Sequence, residues 1–372
     1  MGNKNKIIYE HGGNIWALGL GYQENLKDII DFSININPLG YPKQIEKAIT
    51  QNLGFISCYP DPESNNLKQK ISENFKVKKD NILIGNGGSE LIFSLTKAIS
   101  PLKTLIPAPS FIEYEKASKS IYSKCIFVDF IKKNNTFVFD TDKALKKIKS
   151  SDMLFLCNPN NPTGSIICKD ELIFIIKKCG ENDCFVLLDE SFIDFLEDDK
   201  EFSLLDKITK FKNAAVLRSL TKFYGIPGLR LGYIVANKAL LTKIKNTQPD
   251  WPVNILAQIA GEKLFDDKNF ANKTKKIIKR EKEFIFLKLK DIKNLKPYNS
   301  YANFILIEIL DSLISSGYLK KKLLENSNIL IRDCQNFREL GSNYFRISIK
   351  KHKENNLLIE SLIKIFGTKK SL

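Results

Sequence analysis

Three runs of consecutive apolar residues in the middle of this 372-residue chain, over 153–157, 186–188 and 214–217, each break off in a polar motif. They stop at Asn158-Pro159-Asn160-Asn161-Pro162-Thr163-Gly164, at Asp189-Glu190 and at Arg218-Ser219-Leu220-Thr221-Lys222. A strand that is apolar on both faces must be covered on both faces, which is the situation of a parallel sheet between helices. Further strands are expected over 82–84, ending at 106, and over 231–236, with helices between them, the first from about 90 to 99. That alternation predicts an α/β fold, a large domain with a mostly parallel sheet covered by helices. Ligands of such sheets bind beyond the carboxyl ends of the strands, and all three motifs fall there.

Lys222 has the neighbours that a lysine forming a Schiff base with an anionic cofactor needs. Ser219 can donate a hydroxyl to a phosphate, and Arg230 can pair with it through a guanidinium fork. Gly87-Gly88-Ser89 opens a helix whose free N–H groups suit the same anion. Asp189, closing a buried strand, can hold a pyridine nitrogen protonated so that the ring acts as an electron sink. Phe111, after Pro109-Ser110, is placed to stack on that ring. A lysine on a solvated loop is the ordinary reading of most lysines here, and these partners set Lys222 apart. Together they form the pattern of a pyridoxal 5'-phosphate enzyme with Lys222 and Asp189 as catalytic residues.

The chain resembles the aminotransferase superfamily of fold type I. The resemblance implies that Asn161 hydrogen-bonds the ring oxygen of the cofactor. It also implies that Tyr59, in Tyr59-Pro60-Asp61-Pro62, reaches the phosphate bound by a neighbouring subunit, so the active site would need a homodimer. Within the superfamily, His11-Gly12-Gly13-Asn14 and Asp31-Phe32-Ser33-Ile34-Asn35-Ile36-Asn37-Pro38-Leu39-Gly40 look like the start of the L-threonine-O-3-phosphate decarboxylases, which make the aminopropanol phosphate linker of cobalamin. Residues 187–195, 217–230, 329–332 and 344–346 match that family closely. Its substrate-binding positions carry over to His11, Gly12, Asn35, Asn161, Arg332 and Arg346, with a small phosphorylated amino acid as the partner. Histidinol-phosphate aminotransferase shares the fold, the Tyr-Pro-Asp-Pro segment and two C-terminal arginines. It usually carries tyrosine three residues after the ring-nitrogen aspartate, where this chain has Phe192. Phosphoserine as substrate stays open, because one methyl group is worth only ~1–3 kcal/mol of discrimination.

Composition bounds the remaining possibilities. The formal charge of +16 would suit nucleic acid or an anionic substrate, yet only six of the 58 basic residues are arginine and the lysines are scattered. Arg218, Arg230, Arg332 and Arg346 lie in or beside motifs that want an anion-binding fork; Arg280 and Arg338 do not. No nucleic-acid-binding motif accompanies the charge, and a cofactor-binding transcription regulator would need a DNA-binding domain ahead of the fold. Seven cysteines without a C-x-x-C pair read as reduced thiols in a cytoplasmic protein. Two histidines leave no His-rich metal site, and no run reaches the ~18 apolar residues of a membrane span. The expected organisation is an N-terminal segment over 1–40 returning to the small domain, a large cofactor domain over 41–250, and a small α+β domain over 251–372. In the last, lysine-rich helices over 255–295 precede strands over 303–309, 329–332 and 344–349.

Overall fold

The computed structural model describes residues 12–18 and 28–369, so the contact expected of His11 lies outside the described residues. Seven strands form the central sheet. In chain order they are β1 (Ile82–Gly85), β2 (Lys103–Ala108), β3 (Lys124–Asp129), β4 (Met153–Cys157), β5 (Phe185–Asp189), β6 (Ala214–Ser219) and β7 (Gly232–Val235). Their spatial order is β1-β7-β6-β5-β4-β2-β3, and only β7 runs against its neighbours. The fold is therefore α/β with a mixed, mostly parallel sheet. β3 lies on one edge and escapes periodicity as a strand, because five of its six residues are only part-buried or exposed.

Side-chain alternation divides the sheet into two apolar layers. Met153, Phe155, Leu187, Ala215 and Leu217 face the helices Gly87–Ile99, Glu113–Ser120 and Lys238–Lys245 through Leu91, Leu95, Tyr114 and Leu241. Leu154, Leu156, Val186, Leu188 and Val216 face the opposite layer, with Leu67 and Ile71 of Asn65–Phe75 and Leu172 and Ile175 of Lys169–Gly180. Each such side chain taken fully out of water contributes roughly 1.5–3 kcal/mol against chain entropy, which is why the strands can be so short.

A second sheet of four antiparallel strands contains β8 (Leu295–Pro297), β9 (Phe304–Ile309), β10 (Arg332–Asp333) and β11 (Tyr344–Ser348), in the order β8-β9-β11-β10. The helices Lys268–Asp291, Ser316–Ser327 and His352–Phe366 accompany it. The expected single strand over 329–332 is split. Ile329–Leu330 pairs in parallel with Ile30–Asp31, whereas Arg332 joins the antiparallel sheet opposite Arg346. The N-terminal segment thus returns to the C-terminal part of the chain. Among the described residues no helix is long and apolar enough to cross a membrane.

Candidate active site

One cavity of about 470 Å3 opens at the carboxyl edge of the central sheet and gathers most of the residues singled out by the sequence. Gly12, Asn35, Gly88, Ser89, Phe111, Asn161, Asp189, Ser219, Lys222, Arg230, Arg332 and Arg346 all line it. Tyr59 does not. It is exposed, stacked on Trp251 with ring centroids 4.6 Å apart, and contributes nothing to the cavity of its own chain.

One end of the cavity is a cup for an anion. β1 turns into the helix Gly87–Ile99, whose first-turn N–H groups have no partner within the helix. Gly87 has φ +80°, and a Cβ there would lie 2.6 Å from Arg230 Nη2, so only glycine lets the guanidinium close against the helix start. Ser219, the last residue of β6, and Thr221, in the short helix that follows, share a hydrogen bond of 2.8 Å beside it. Arg230 leads into β7, and because β7 is antiparallel its start falls at the same sheet edge.

The middle of the cavity pairs an amine with a carboxylate. Asp189 closes β5 and is 4 % exposed. Tyr114 Oη donates to its Oδ2 at 2.7 Å, and the N–H and hydroxyl of Ser191 donate to Oδ1 at 2.9 and 2.5 Å. Burial raises the Asp189 pKa, and these donors together with Lys222 oppose it. Burial lowers the pKa of Lys222 to about 8, and the nearby Arg230 and Arg346 charges add to that effect. Lys222 therefore reaches its neutral, nucleophilic form near physiological pH. Neither Tyr114 nor Ser191 was found by the sequence reading. Tyr114, in the first turn of the helix Glu113–Ser120 and three residues after Phe111, meets it edge-on at 5.7 Å and stacks on Phe155 at 4.7 Å. That i, i+3 spacing was the available signal.

The far end is dominated by guanidinium groups. Arg332 and Arg346 are Cα partners on β10 and β11, both buried. Like charges placed opposite each other on a sheet repel, and an anion beside them would offset that repulsion. Arg346 donates through Nη1 to Asn161 Oδ1 and through Nη2 to the Ser33 carbonyl at 2.8 Å, and lies 5.1 Å over the Phe304 ring. Its Nε and the Asn35 Oδ1 are buried without a partner. Arg332 donates to the Asp333 carbonyl at 2.5 Å and to Asn336 Oδ1 at 2.7 Å. Gly12 sits tightly enough against the Ser33 carbonyl that a Cβ would lie 2.3 Å from it. Phe192 lines the cavity as well and packs edge-on against Phe304 at 5.1 Å.

Arg218 departs from its expected role. β6 alternates, so Ser219 faces the cavity and Arg218 faces the other layer. There it forms a buried cluster with Glu190 and Asp194 at 2.8 and 2.7 Å and with Ser203 at 2.9 Å. It binds carboxylates of its own chain.

An amine and a buried carboxylate at neighbouring strand ends, beside a phosphate-sized cup, make this the arrangement of a pyridoxal-phosphate enzyme of fold type I. The chain belongs to aminotransferase class I and II, whose family model matches residues 27–362. It is 39% identical over 95% of its length to 93% of a Caldanaerobacter subterraneus subsp. tengcongensis protein provisionally named as a threonine-phosphate decarboxylase. It is 34% identical to the threonine-phosphate decarboxylase of Salmonella typhimurium, with 95% of each chain covered. The crystal structure of the histidinol-phosphate aminotransferase from Clostridium acetobutylicum superimposes with a TM-score of 0.83 at 32% identity, over 90% of this chain and 98% of that one. The cofactor is accordingly pyridoxal 5'-phosphate, and the cup, the carboxylate and the amine fit its phosphate, ring nitrogen and aldehyde.

Proposed function

We propose that this protein decarboxylates O-phospho-L-threonine to (R)-1-amino-2-propanol O-2-phosphate for cobalamin biosynthesis, working as a homodimer in the cytoplasm. The observation that carries the reading is the buried pair Arg332 and Arg346, opposite each other across β10 and β11 at the end of the cavity remote from the Arg230 cup. With the cup taken by the cofactor phosphate, two guanidiniums remain for a substrate that carries two anions. Similarity to threonine-phosphate decarboxylases over nearly the whole chain supports it.

Pyridoxal phosphate supplies an electron-withdrawing ring that accepts the electron pair of a bond broken at the substrate α-carbon. The protein does the rest. Gly88, Ser89, Ser219 and Arg230 hold the cofactor phosphate, and Tyr59 of the partner subunit reaches the same phosphate. The exposed apolar group Leu53, Phe55, Ile56 and Tyr59 suits burial against that partner. Phe111 would cover one ring face, Asp189 would hold the ring-nitrogen proton by charge, and Asn161 would donate to the ring oxygen. Lys222 would hold the cofactor through its amine and is placed to return a proton to the substrate α-carbon. His11, Gly12, Asn35, Asn161, Arg332 and Arg346 bind the substrate. Anchoring at its far phosphate would let these residues orient the substrate so that its α-carboxylate, rather than its α-proton, is the group lost.

Histidinol-phosphate aminotransferase is the second reading, favoured by the close superposition with the Clostridium enzyme. Phe192 speaks against it, since a phenyl ring cannot donate to the cofactor oxygen. Incubation with O-phospho-L-threonine should release carbon dioxide, whereas histidinol phosphate with 2-oxoglutarate should give no glutamate. Glutamate formation without carbon dioxide would replace the proposal by the second reading, and a preference for O-phospho-L-serine would change only the substrate.

A further inference from the structure

The helix that carries Lys222 is four residues long, Leu220–Phe223. A helix that short closes almost none of its own hydrogen bonds: Gly225 gives its N–H to the Lys222 carbonyl at 3.4 Å and Ile226 to the Thr221 carbonyl at 3.2 Å, and its carbonyl groups take further donors from elsewhere in the chain. One residue serves two of them. Asn37 gives its backbone N–H to the Lys222 carbonyl at 3.1 Å and its side-chain amide to the Phe223 carbonyl at 2.7 Å. The same amide nitrogen reaches Thr274 Oγ1 at 2.7 Å on the helix Lys268–Asp291, while Asn37 Oδ1 accepts the Leu39 N–H at 2.9 Å. Both donors and the acceptor of the amide are in use, and the residue is 4 % exposed.

The segment leading to Asn37 belongs to the other end of the cavity. Ser33 accepts Arg346 at its carbonyl, and Asn35 lines the cavity with its Oδ1 unpartnered. Residues 33–37 therefore form a strap that touches the guanidinium end with one end and the lysine helix with the other. Behind Asn37 the two chain segments are in close contact. Gly225 has φ +64°, and a Cβ there would lie 2.2 Å from the Gly40 carbonyl oxygen.

We propose that Asn37 is the positioning residue of Lys222, fixing the short helix against the strap so that the amine and the substrate-binding residues share one rigid frame. It lines no part of the cavity and acts only through Lys222. The proposal rests on the reading of Lys222 as the residue that carries the cofactor. Small displacements matter here because misplacing a reacting group by about 1 Å can cost on the order of 100-fold in rate.

Asn37→Ala and Asn37→Asp isolate the role, since aspartate keeps the size and the acceptor of the amide but loses both donors. Apoenzyme is mixed with pyridoxal 5'-phosphate, trapped with borohydride at intervals, and the label located by peptide mapping; kcat and KM are measured on holoenzyme per bound cofactor. In both variants the labelling rate at Lys222 and kcat should fall about 10- to 100-fold. KM should stay within about threefold, the pattern of a lost transition-state contact. Thr274→Val, which removes only the outer anchor of the amide, should shift the labelling rate in the same direction by a smaller factor. A merely structural role would lower the melting temperature and leave labelling and kcat per loaded site at wild-type values, which would overturn the proposal alone. Turnover retained by Lys222→Ala would instead overturn the reading of the lysine, and the proposal with it.

Discussion

Arg218 and Arg346 are both buried, 1 % and 5 % exposed, yet their surroundings differ in charge. Around Arg218, on the layer behind β6, Glu190 and Asp194 both lie within 2.8 Å, and Ser203 fills a further position of the fork. Burial disfavours its charge, but Asp194 and Glu190 outweigh that and push its pKa up. Around Arg346 the described residues place no carboxylate within ion-pairing distance. It meets an amide oxygen, a backbone carbonyl and an aromatic face, its Nε has no partner, and burial lowers its pKa to about 10. A buried charge with its counter-charges present is a piece of architecture; one without them is a place for a ligand. The difference separates two arginines that the sequence puts in equally suggestive motifs.

The comparison breaks most visibly in stability. Arg218→Met leaves Glu190 and Asp194 buried without a counter-charge and should cost about 3–5 kcal/mol, read from denaturant unfolding. A loss under about 1 kcal/mol, the size of an exposed pair, would mean the cluster is no better than a surface salt bridge. Arg346→Met should show the opposite pattern. Its fold should be as stable as the wild type or more so, because an uncompensated buried cation is removed. The kcat/KM for the phosphorylated amino acid should fall by about 2–5 kcal/mol of transition-state stabilisation, since a charge-assisted fork to a desolvated anion is gone. Destabilisation without a kinetic defect would make Arg346 architectural too.

The smallest effect sharpens the contrast through a third group. Lys222 is held down to about 8 by burial, with help from Arg230 and Arg346, so its neutral fraction falls tenfold for each pH unit below that midpoint and levels off above it. The rate at which apoenzyme takes up the cofactor should follow that curve. Arg346→Met should move the midpoint upward, toward an ordinary lysine, whereas Arg218→Met should leave it in place. Equal midpoints in all three proteins would mean that Arg346 has no part in lowering the lysine, leaving burial and Arg230 to do so.

How much of this was readable beforehand follows from where the information lies. β4, β5 and β6 announce themselves because both of their faces are apolar, and their motifs fix Asn161, Asp189, Ser219 and Lys222 at the strand ends. Arg218 was misread because adjacency to Ser219 suggested a shared role, although alternate residues of a strand face opposite ways. Tyr114 and Ser191 escaped because their value lies in holding Asp189, which only the folded chain displays. The pairing of Arg332 with Arg346 is a matter of register between strands separated by a helical turn and a loop, and no local pattern specifies it. Asn37 stands in a motif shared with the family, which gives it no role of its own. Its donors go to residues 186 and 237 positions away, beyond any periodicity.

The hydrogen bond between Ser33 and Arg346 spans 313 residues of sequence. A ribosome working at roughly 5–20 residues per second needs about 15–60 s to make that interval. Throughout that time residues 30–33 lack the partners that hold them last: the strand Ile329–Leu330 for Ile30–Asp31, Ser348 for Phe32, and Arg346 for Ser33. The lysine and the anion cup, by contrast, lie within residues 82–235 and can assemble as soon as the central sheet is complete. The nascent protein can therefore complete the lysine and the anion cup before Arg332 and Arg346 exist, and residues 30–33 are held in place only once the C-terminal strands have formed.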